Sequence, residues 1–352
     1  LAWAHDAKLP IESPALKSET GGITGVRFIE MTDEQAVRMK SELQDFDVIP
    51  DLPLHLIEPY KNLTTAKAKV DGGDLWHLQL IAERFGPGKR TGRDIGVAVM
   101  DTGIEASHPE LNGRVTKAVT FNAKTREVLT LKDPIEFRDT SGHGTHVAGI
   151  ICGRTVGVAP NSVVFDYRMI PHGRGNLSDF ILAIEAAAQD PDVQIANMSA
   201  GISGYIPELA AALDSLRYAG VLLVVATGNE GENRTRSPGN YREVPSVGAT
   251  DKNKQVAAFS SSGTMVVNFQ QHAVPDVCAP GAGVYSSVMG GGYEAWDGTS
   301  MATPVVTGIA ARILEEEPGI NLLQLEQEIK SACIKLSGPE TRQGYGIVQI
   351  TR

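Results

Sequence analysis

Short apolar runs alternate with stretches of helical periodicity from about residue 76 to the end of the chain. Buried parallel strands are continuously apolar, whereas amphipathic helices place apolar residues three or four positions apart. This pattern predicts strands at 95–100, 163–170, 195–198 and 221–226, and helices at 177–188, 207–218 and 305–314. Because strands and helices alternate, we expect an α/β fold with a mostly parallel central sheet covered by helices.

The first 75 residues have a different pattern. A strand at 26–30, a helix from Thr32 to about residue 44, and strands at 48–50 and 54–58 predict a small α+β unit. Gln35 stands three residues after Thr32, as in a capping box. Composition and periodicity together predict a weakly ordered polar arm (1–25), the α+β unit (26–60), a linker (61–75) and an α/β domain (76–352).

Length, charge and composition argue against several classes of function. The chain has 352 residues, enough for one or two domains, and a net charge of −10, which argues against binding to nucleic acid or to an anionic membrane. The longest apolar run, at 221–226, is far shorter than the roughly 20 residues that span a bilayer. The three cysteines, Cys152, Cys278 and Cys333, are widely spaced, so we expect free thiols rather than a disulfide framework.

Three polar residues lie at positions where catalytic side chains are often found. Asp101 follows the strand at 95–100, His143 lies between two glycines, and Ser300 begins the predicted helix whose apolar part is 305–314. Glycines allow close approach of the backbone and an accessible imidazole. Each residue alone has a structural alternative, because Asp and Ser cap helices and a single His is usually structural. His143 and His146 also lack the spacing and the Glu of a zinc-protease helix.

Taken together, these segments resemble the subtilase family of serine proteases. The three signature blocks of that family are similar to D-T-G-I at 101–104, H-G-T-H-V-A-G at 143–149 and G-T-S-M-A-T-P at 298–304, in the order Asp, His, Ser. Further similarity lies in A-T-G-N-E-G at 226–231, N-M-S-A-G at 197–201 and G-Y-G at 344–346. The resemblance extends from about residue 76 to the end of the chain.

The resemblance implies a subtilisin-like three-layer fold and a serine endopeptidase with an acyl-enzyme intermediate. It assigns Asp101, His143 and Ser300 to the catalytic triad and the Asn229 side chain to the oxyanion hole. The implied substrate-binding residues are Ser199, Ala200, Gly201, Ala226, Thr227 and Gly228. No cofactor is needed for this chemistry.

The loop after Asn229 departs from the family pattern: Arg234 and Arg236 lie near the expected base of the first specificity pocket, and Glu230 is close by. Two interpretations are open. These charges belong to a solvated loop, or an arginine alters the pocket and favours a polar or acidic side chain of the substrate.

The N-terminal unit resembles the inhibitory propeptide of subtilases, with an extended tail, L-I-E-P-Y, at 56–60. By this resemblance the chain is a zymogen whose own N-terminal unit is an intramolecular inhibitor, and processing falls between Tyr60 and Gly73. The alternative is a retained accessory domain. We expect a monomer that binds polypeptide substrate, and neither nucleic acid nor membrane.

A calcium loop of many subtilases is expected to be missing, because 152–157 is short and has no carboxylate. Asp276 resembles a calcium ligand of the proteinase K branch, and this resemblance implies a structural calcium held there together with backbone carbonyls near Arg242 and Val244. Alternative functions are a dedicated processing protease, a peptide ligase or macrocyclase, and a non-catalytic pseudoprotease that only binds. The compartment is open: a propeptide-like unit favours secretion, whereas no signal peptide is visible in residues 1–10.

Overall fold

The structure is a computed structural model that describes residues 2–3, 26–27, 29, 31–42, 48–61, 66–122, 125, 127–133 and 136–351. Within these residues the helices are α1 (Asp33–Glu42), α2 (Trp76–Ile81), α3 (His143–Cys152), α4 (Leu177–Gln189), α5 (Ala210–Tyr218), α6 (Thr299–Glu316), α7 (Leu322–Ser331) and α8 (Glu340–Gln343). Short 3₁₀ turns lie at Pro171–Gly173 and Pro207–Leu209.

The strands of the described residues are β1 (Ala2–Trp3), β2 (Val26–Arg27), β3 (Pro53–Leu56), β4 (Tyr60–Lys61), β5 (Gly96–Asp101), β6 (Val115–Asn122), β7 (Glu127–Leu131), β8 (Val163–Arg168), β9 (Arg174–Asn176), β10 (Ile195–Met198), β11 (Ala200–Ser203), β12 (Leu222–Ala226), β13 (Arg236–Ser237), β14 (Ser246–Thr250), β15 (Gly263–Val267), β16 (Gln270–Val274), β17 (Val277–Pro280), β18 (Val284–Ser287) and β19 (Tyr293–Asp297).

A central sheet in the order β17-β14-β12-β10-β5-β8-β6-β7 forms the core of the α/β domain. Its pairs are parallel except for β6 and β7, which form an antiparallel edge. Successive residues of β5 belong to opposite cores, because side chains alternate along a strand. Val97 and Val99 pack with α3 and α6, whereas Ala98 and Met100 pack with α4 and α5. The predicted three-layer α/β fold is confirmed.

The central strands bring the polar segments to one edge of this sheet. β5 ends at Asp101, Ser199 follows β10, and Thr227 follows β12. Because β5, β10 and β12 are parallel neighbours, their carboxyl ends meet, as expected for a site on an α/β sheet. Helices α3 and α6 begin near the same edge and supply His143 and Ser300.

In the N-terminal region, β1 pairs antiparallel with β2, and α1 follows. The predicted capping box is present: the Thr32 amide donates to Gln35 Oε1 at 2.8 Å, and the Gln35 amide donates to Thr32 Oγ1 at 3.3 Å. The ends predicted at residues 30 and 44 lie outside the described residues. No strand forms at the described residues 48–50, where Pro50 has no amide hydrogen for a strand ladder.

The last strands of the N-terminal region pair with the α/β domain. β3 lies between β11 and β9, antiparallel to both, and β4 pairs antiparallel with β19. Residues 53–61 therefore run across the edge of the sheet where the polar segments meet. No helix of the described residues has both the length and the apolar character to cross a membrane. Cys152, Cys278 and Cys333 are free thiols, as expected.

Candidate active site

Asp101 and His143 form a buried hydrogen-bonded pair. His143 Nδ1 lies 2.8 Å from Asp101 Oδ1 and 2.9 Å from Oδ2, and each side chain exposes 1% of its surface. A carboxylate only accepts hydrogen bonds, so Nδ1 carries the proton and Nε2 is left as an acceptor. Nε2 is buried and has no hydrogen-bond partner among the described residues. The pair therefore has the geometry of a general base oriented by a carboxylate.

Asp139 fixes the start of the His143 helix, and sequence reasoning missed it. Its carboxylate accepts from the amides of Gly142 and Thr145, both at 2.9 Å, and from the Thr145 hydroxyl at 2.6 Å. It also accepts from the Thr102 hydroxyl at 2.8 Å. Asp139 thus ties the turn after β5 to the first turn of α3, so that Asp101 and His143 face each other. The available signal was an Asp just upstream of the helix, where capping residues occur.

The glycines beside His143 are required by the backbone. Gly142 has φ 87°, a left-handed conformation that favours glycine. A Cβ on Gly144 would lie only 2.2 Å from the carbonyl oxygen of Gly103. The predicted close approach is therefore present. The imidazole, however, is 1% exposed rather than accessible, and its ring is stacked with that of Trp296, with centroids 6.4 Å apart.

Asn229 is oriented by the residue that precedes Ser300. Its Oδ1 accepts from the Thr299 amide at 2.9 Å and from the Thr299 hydroxyl at 3.0 Å. The amide oxygen is therefore occupied, and Nδ2 donates to the Glu58 carbonyl oxygen at 2.8 Å. Ser300 lies in the first turn of α6, where free amides and the positive end of the helix dipole favour negative charge.

An extended segment occupies the site. His55 pairs with Gly201 and Leu56 with Ala200, and the Ile57 amide donates to the Ser199 carbonyl at 3.0 Å. The Ser300 hydroxyl donates to the Ile57 carbonyl oxygen at 2.8 Å. Beyond Ser300 the chain continues into β4, where Tyr60 pairs with Asp297. One backbone thus passes the site on both sides of Ser300.

The structure places all of the predicted site residues at this edge except Asp276. Ser199, Ala200 and Gly201 line the segment through their backbones. Ala226 ends β12, and Thr227 and Gly228 follow it. The Gly228 carbonyl accepts from the Thr299 hydroxyl at 3.1 Å, so this second stretch adjoins the start of α6.

His146 has a structural position. Its ring stacks on Trp296 with centroids 4.2 Å apart, and Nε2 lies 3.0 Å from the Glu294 carbonyl oxygen. Burial lowers the pKa of His146 to about 3. A neutral ring packed on an indole agrees with the rejection of a metal pair with His143.

Asp276 lies apart from this edge, and the contacts around it fit an ammonium group. Lys330 Nζ lies 2.9 Å from Oδ1, while Oδ2 accepts from the Ser246 amide at 3.1 Å and from its hydroxyl at 2.9 Å. Burial lowers the pKa of Lys330, but the charge of Asp276 outweighs it and leaves that pKa raised. A calcium ion needs several oxygen ligands, and both oxygens of the Asp276 carboxylate are here engaged by Lys330 and Ser246. The described residues contain no cluster of three or more His, Cys, Asp or Glu side chains arranged to hold a metal.

Comparison with known proteins decides the family. Residues 92–346 match the subtilase family. The chain belongs to that family. A thermophilic serine proteinase of Bacillus sp. strain AK1 is 36% identical over 257 residues, which is 71% of this chain and 59% of that protein. The alkaline protease of Alkalihalobacillus alcalophilus is 31% identical over 351 residues, covering 92% of this chain and 86% of that protein.

Among solved structures, a cold-adapted subtilisin-like serine proteinase superimposes on this subtilase with a TM-score of 0.67 and 30% identity. The superposition covers 79% of this chain and 98% of that one. The predicted resemblance is therefore confirmed for the α/β domain. The family match begins at residue 92, so the N-terminal unit lies outside it.

Proposed function

We propose that this subtilase is a serine endopeptidase that cleaves polypeptides through an acyl-enzyme on Ser300. The observation that carries the proposal is the convergence of two donors on one backbone. Ser300 Oγ lies 2.8 Å from the carbonyl oxygen of Ile57, and Asn229 Nδ2 lies 2.8 Å from that of Glu58. A nucleophile and an oxyanion donor that reach consecutive carbonyls of one extended backbone are the two groups of acyl transfer, and a substrate displaced by one carbonyl relative to either group would bring both to the same bond.

The mechanism follows from the positions of these groups. Ser300 attacks the substrate carbonyl while Nε2 of His143 accepts the hydroxyl proton, and the leaving amine later takes that proton. Asp101 holds the tautomer and stabilises the imidazolium. Asn229, whose oxygen is occupied by Thr299, donates to the developing oxyanion. Water then repeats the sequence on the acyl-enzyme and releases Ser300.

Recognition of internal peptide bonds is supported by the two-sided path of the segment. Residues 53–56 add a strand between β9 and β11, and residues 60–61 add a strand to β19. Strand addition recognises extended backbone through main-chain hydrogen bonds. Since chain is accommodated both before and after Ser300, we infer cleavage within a polypeptide rather than at its end.

The segment at 53–61 serves as an intramolecular inhibitor in this proposal. Its backbone register presents the Ile57 carbonyl to Ser300, yet Asn229 donates to the carbonyl of the next residue, Glu58. The nucleophile and the oxyanion donor therefore face different peptide bonds, and the bond after Glu58 leads into Pro59. The segment therefore blocks the site from substrate without presenting a peptide bond in position for cleavage. Processing between Tyr60 and Gly73 stays a prediction.

At Asp276 we propose that the Lys330 ammonium balances the carboxylate in place of the predicted calcium ion. The hydrogen bonds from Lys330 and Ser246 support this. Addition of a chelator should then leave the melting temperature unchanged. A fall of several degrees that calcium reverses would favour the ion instead.

Replacement of the nucleophile tests the proposed function. We expect Ser300→Ala to lower kcat on an unfolded protein substrate by about a million-fold, the size known for the nucleophile of subtilisin itself. The matched control is Ser331→Ala, at an exposed serine of α7, which should retain activity. Hydrolysis by Ser300→Ala at the wild-type rate would contradict the assignment.

A further inference from the structure

Arg236 and Glu230 join the two substrate-binding stretches. Arg236 belongs to β13, which pairs antiparallel with β11. Its Nη1 donates to the Gly201 carbonyl at 3.2 Å, while Nε and Nη2 lie 2.7 and 2.5 Å from Glu230 Oε1. A Cβ on Gly201 would lie 3.1 Å from the Cβ of Arg236. The arginine therefore lies directly against one side of the predicted pocket.

Glu230 lies against the other side of that pocket. A Cβ on Gly228 would lie 2.4 Å from Glu230 Oε2, and the same oxygen accepts from the Ser261 hydroxyl at 3.0 Å. The Glu230 carboxylate is thus held on Gly228 while its other oxygen binds Arg236. The ion pair bridges Gly201 and Gly228, the ends of the two stretches.

The pair is neutral as a unit. Burial raises the pKa of Glu230, but the hydrogen bond and charge of Arg236 outweigh it and hold that pKa below its ordinary value. Glu230 is therefore ionised at neutral pH, and its charge balances that of Arg236. An acidic substrate side chain would have to compete with Glu230 for the guanidinium, and a basic one with Arg236 for the carboxylate. Either competition leaves a partly buried charge without its partner, which is costly.

Ile57 is the residue of the segment that we assign to this pocket. Its amide pairs with the Ser199 carbonyl and its own carbonyl accepts from Ser300, so we assign Ile57 to the first specificity position by its contact with the nucleophile, while Asn229 donates to the following carbonyl, that of Glu58. Ile57 is 1% exposed, yet it belongs to neither hydrophobic core. An uncharged, branched aliphatic side chain is therefore already buried there.

We propose that the Arg236–Glu230 ion pair closes the first specificity pocket and makes it select uncharged aliphatic side chains of moderate size over aromatic, acidic and basic ones. The proposal rests on the proposed endopeptidase function, whose site it completes. It favours neither earlier interpretation of the loop, since Arg236 faces the pocket but is neutralised by Glu230.

A set of peptides that differ only at the residue before the cleaved bond tests this. We would measure kcat/KM with Ile, Leu, Phe, Glu and Lys at that position, for the wild-type chain and for Arg236→Gly, Glu230→Gln and the double variant. We expect the wild type to prefer Ile and Leu by roughly 10-fold or more, the discrimination that apolar pockets reach.

Removal of Arg236 opens the pocket and leaves Glu230 unpaired. The Phe/Ile and Lys/Ile ratios should both rise in Arg236→Gly, the latter roughly 10- to 100-fold, as for one charge-assisted hydrogen bond. The double variant should keep the gain for Phe and lose the gain for Lys. In Glu230→Gln the Glu/Ile ratio should rise instead, because Arg236 is then unpaired.

Two results would overturn the proposal: unchanged ratios in Arg236→Gly, or an equal loss of activity on all peptides, which indicates a structural role. Labelling of Ser300 by a fluorophosphonate distinguishes this failure from failure of the proposed function. A chain that labels at Ser300 and hydrolyses peptides with unaltered preference refutes only the pocket proposal. A chain that neither labels nor hydrolyses refutes both.

Discussion

Asp101, His143 and Asn229 are held by hydrogen bonds between buried side chains and backbone, whereas residues 53–61 are held by backbone pairing with three strands and by the buried apolar side chains of Leu54, Leu56 and Ile57. Asp139 and Thr299 accept or donate two or more hydrogen bonds to fix the first group. The segment instead adds strands to β9, β11 and β19. Buried side-chain contacts are specific to these residues, while strand addition suits any extended chain. Because an extended substrate can form the same backbone pairing, we expect the apolar side chains of the segment to decide how tightly it holds the site.

Among the changes that distinguish the buried site residues from the segment at 53–61, replacement of the oxyanion donor should have the largest effect. Asn229→Ala removes Nδ2 without changing strand pairing, so kcat should fall by roughly 100- to 1,000-fold while KM changes little; subtilisin is the reference for this size. The control is Asn112→Ala at an exposed asparagine. An equal loss in KM would mean that Asn229 binds substrate rather than its transition state.

The helix cap should have the next largest effect. Asp139→Ala frees the start of α3 from the turn at Thr102, so His143 loses its alignment with Asp101. Since displacements of about 1 Å cost up to roughly 100-fold, we expect a decrease of that order in kcat with KM retained. Asp214→Ala, at an exposed aspartate of α5, is the control. Unaltered kcat in Asp139→Ala would show that α3 is positioned without this cap.

A change in the segment should act in the opposite direction. Ile57→Ser removes a buried aliphatic side chain that contributes about 1.5–3 kcal/mol, which corresponds to a roughly 10- to 150-fold weaker hold on the site. The initial rate of the full chain on a short peptide should therefore rise. His55→Ser, at an exposed residue of the same segment, should have little effect. A decrease in rate with Ile57→Ser would mean that the segment supports the site instead of blocking it.

The smallest expected effect concerns acid stability. Burial lowers the pKa of His77 to about 4 and that of His146 to about 3, whereas an unfolded His titrates near ~6.5. Below about pH 6.5 the unfolded chain binds protons that the folded chain does not, so the free energy of unfolding falls toward pH 4. His77→Gln should reduce this slope by up to about 1.4 kcal/mol per pH unit in urea titrations. An unchanged slope would show that His77 is protonated in the folded chain.

Local pattern predicted the α/β domain well. The strand at 195–198 and the helix at 177–188 were found within one residue of their predicted bounds, since continuous apolar runs and helical spacing are local signals. The short motifs around Asp101, His143 and Ser300 also indicated three residues that the structure brings to one edge of the sheet. Fixed spacing of glycines around a polar residue is visible in any sequence.

Contacts between distant segments could not be predicted in this way. Asn229 Nδ2 meets Glu58, and Arg236 meets Gly201, only because the fold brings separate loops together. The sequence placed Arg236 near the pocket but left its partner open. The antiparallel pair β6–β7 was also missed, because its exposed edge lacks a continuous apolar run.

Labelling of Ser300 by a fluorophosphonate in the intact chain tests most directly whether an active site lies beneath residues 57–58. We expect mass spectrometry to find the label on Ser300 alone, slowly in the wild type, at least 10-fold faster in Ile57→Ser, and not at all in Ser300→Ala. Labelling of the wild type as fast as Ile57→Ser would contradict occupation by the segment. Absence of label from both would contradict an activated Ser300.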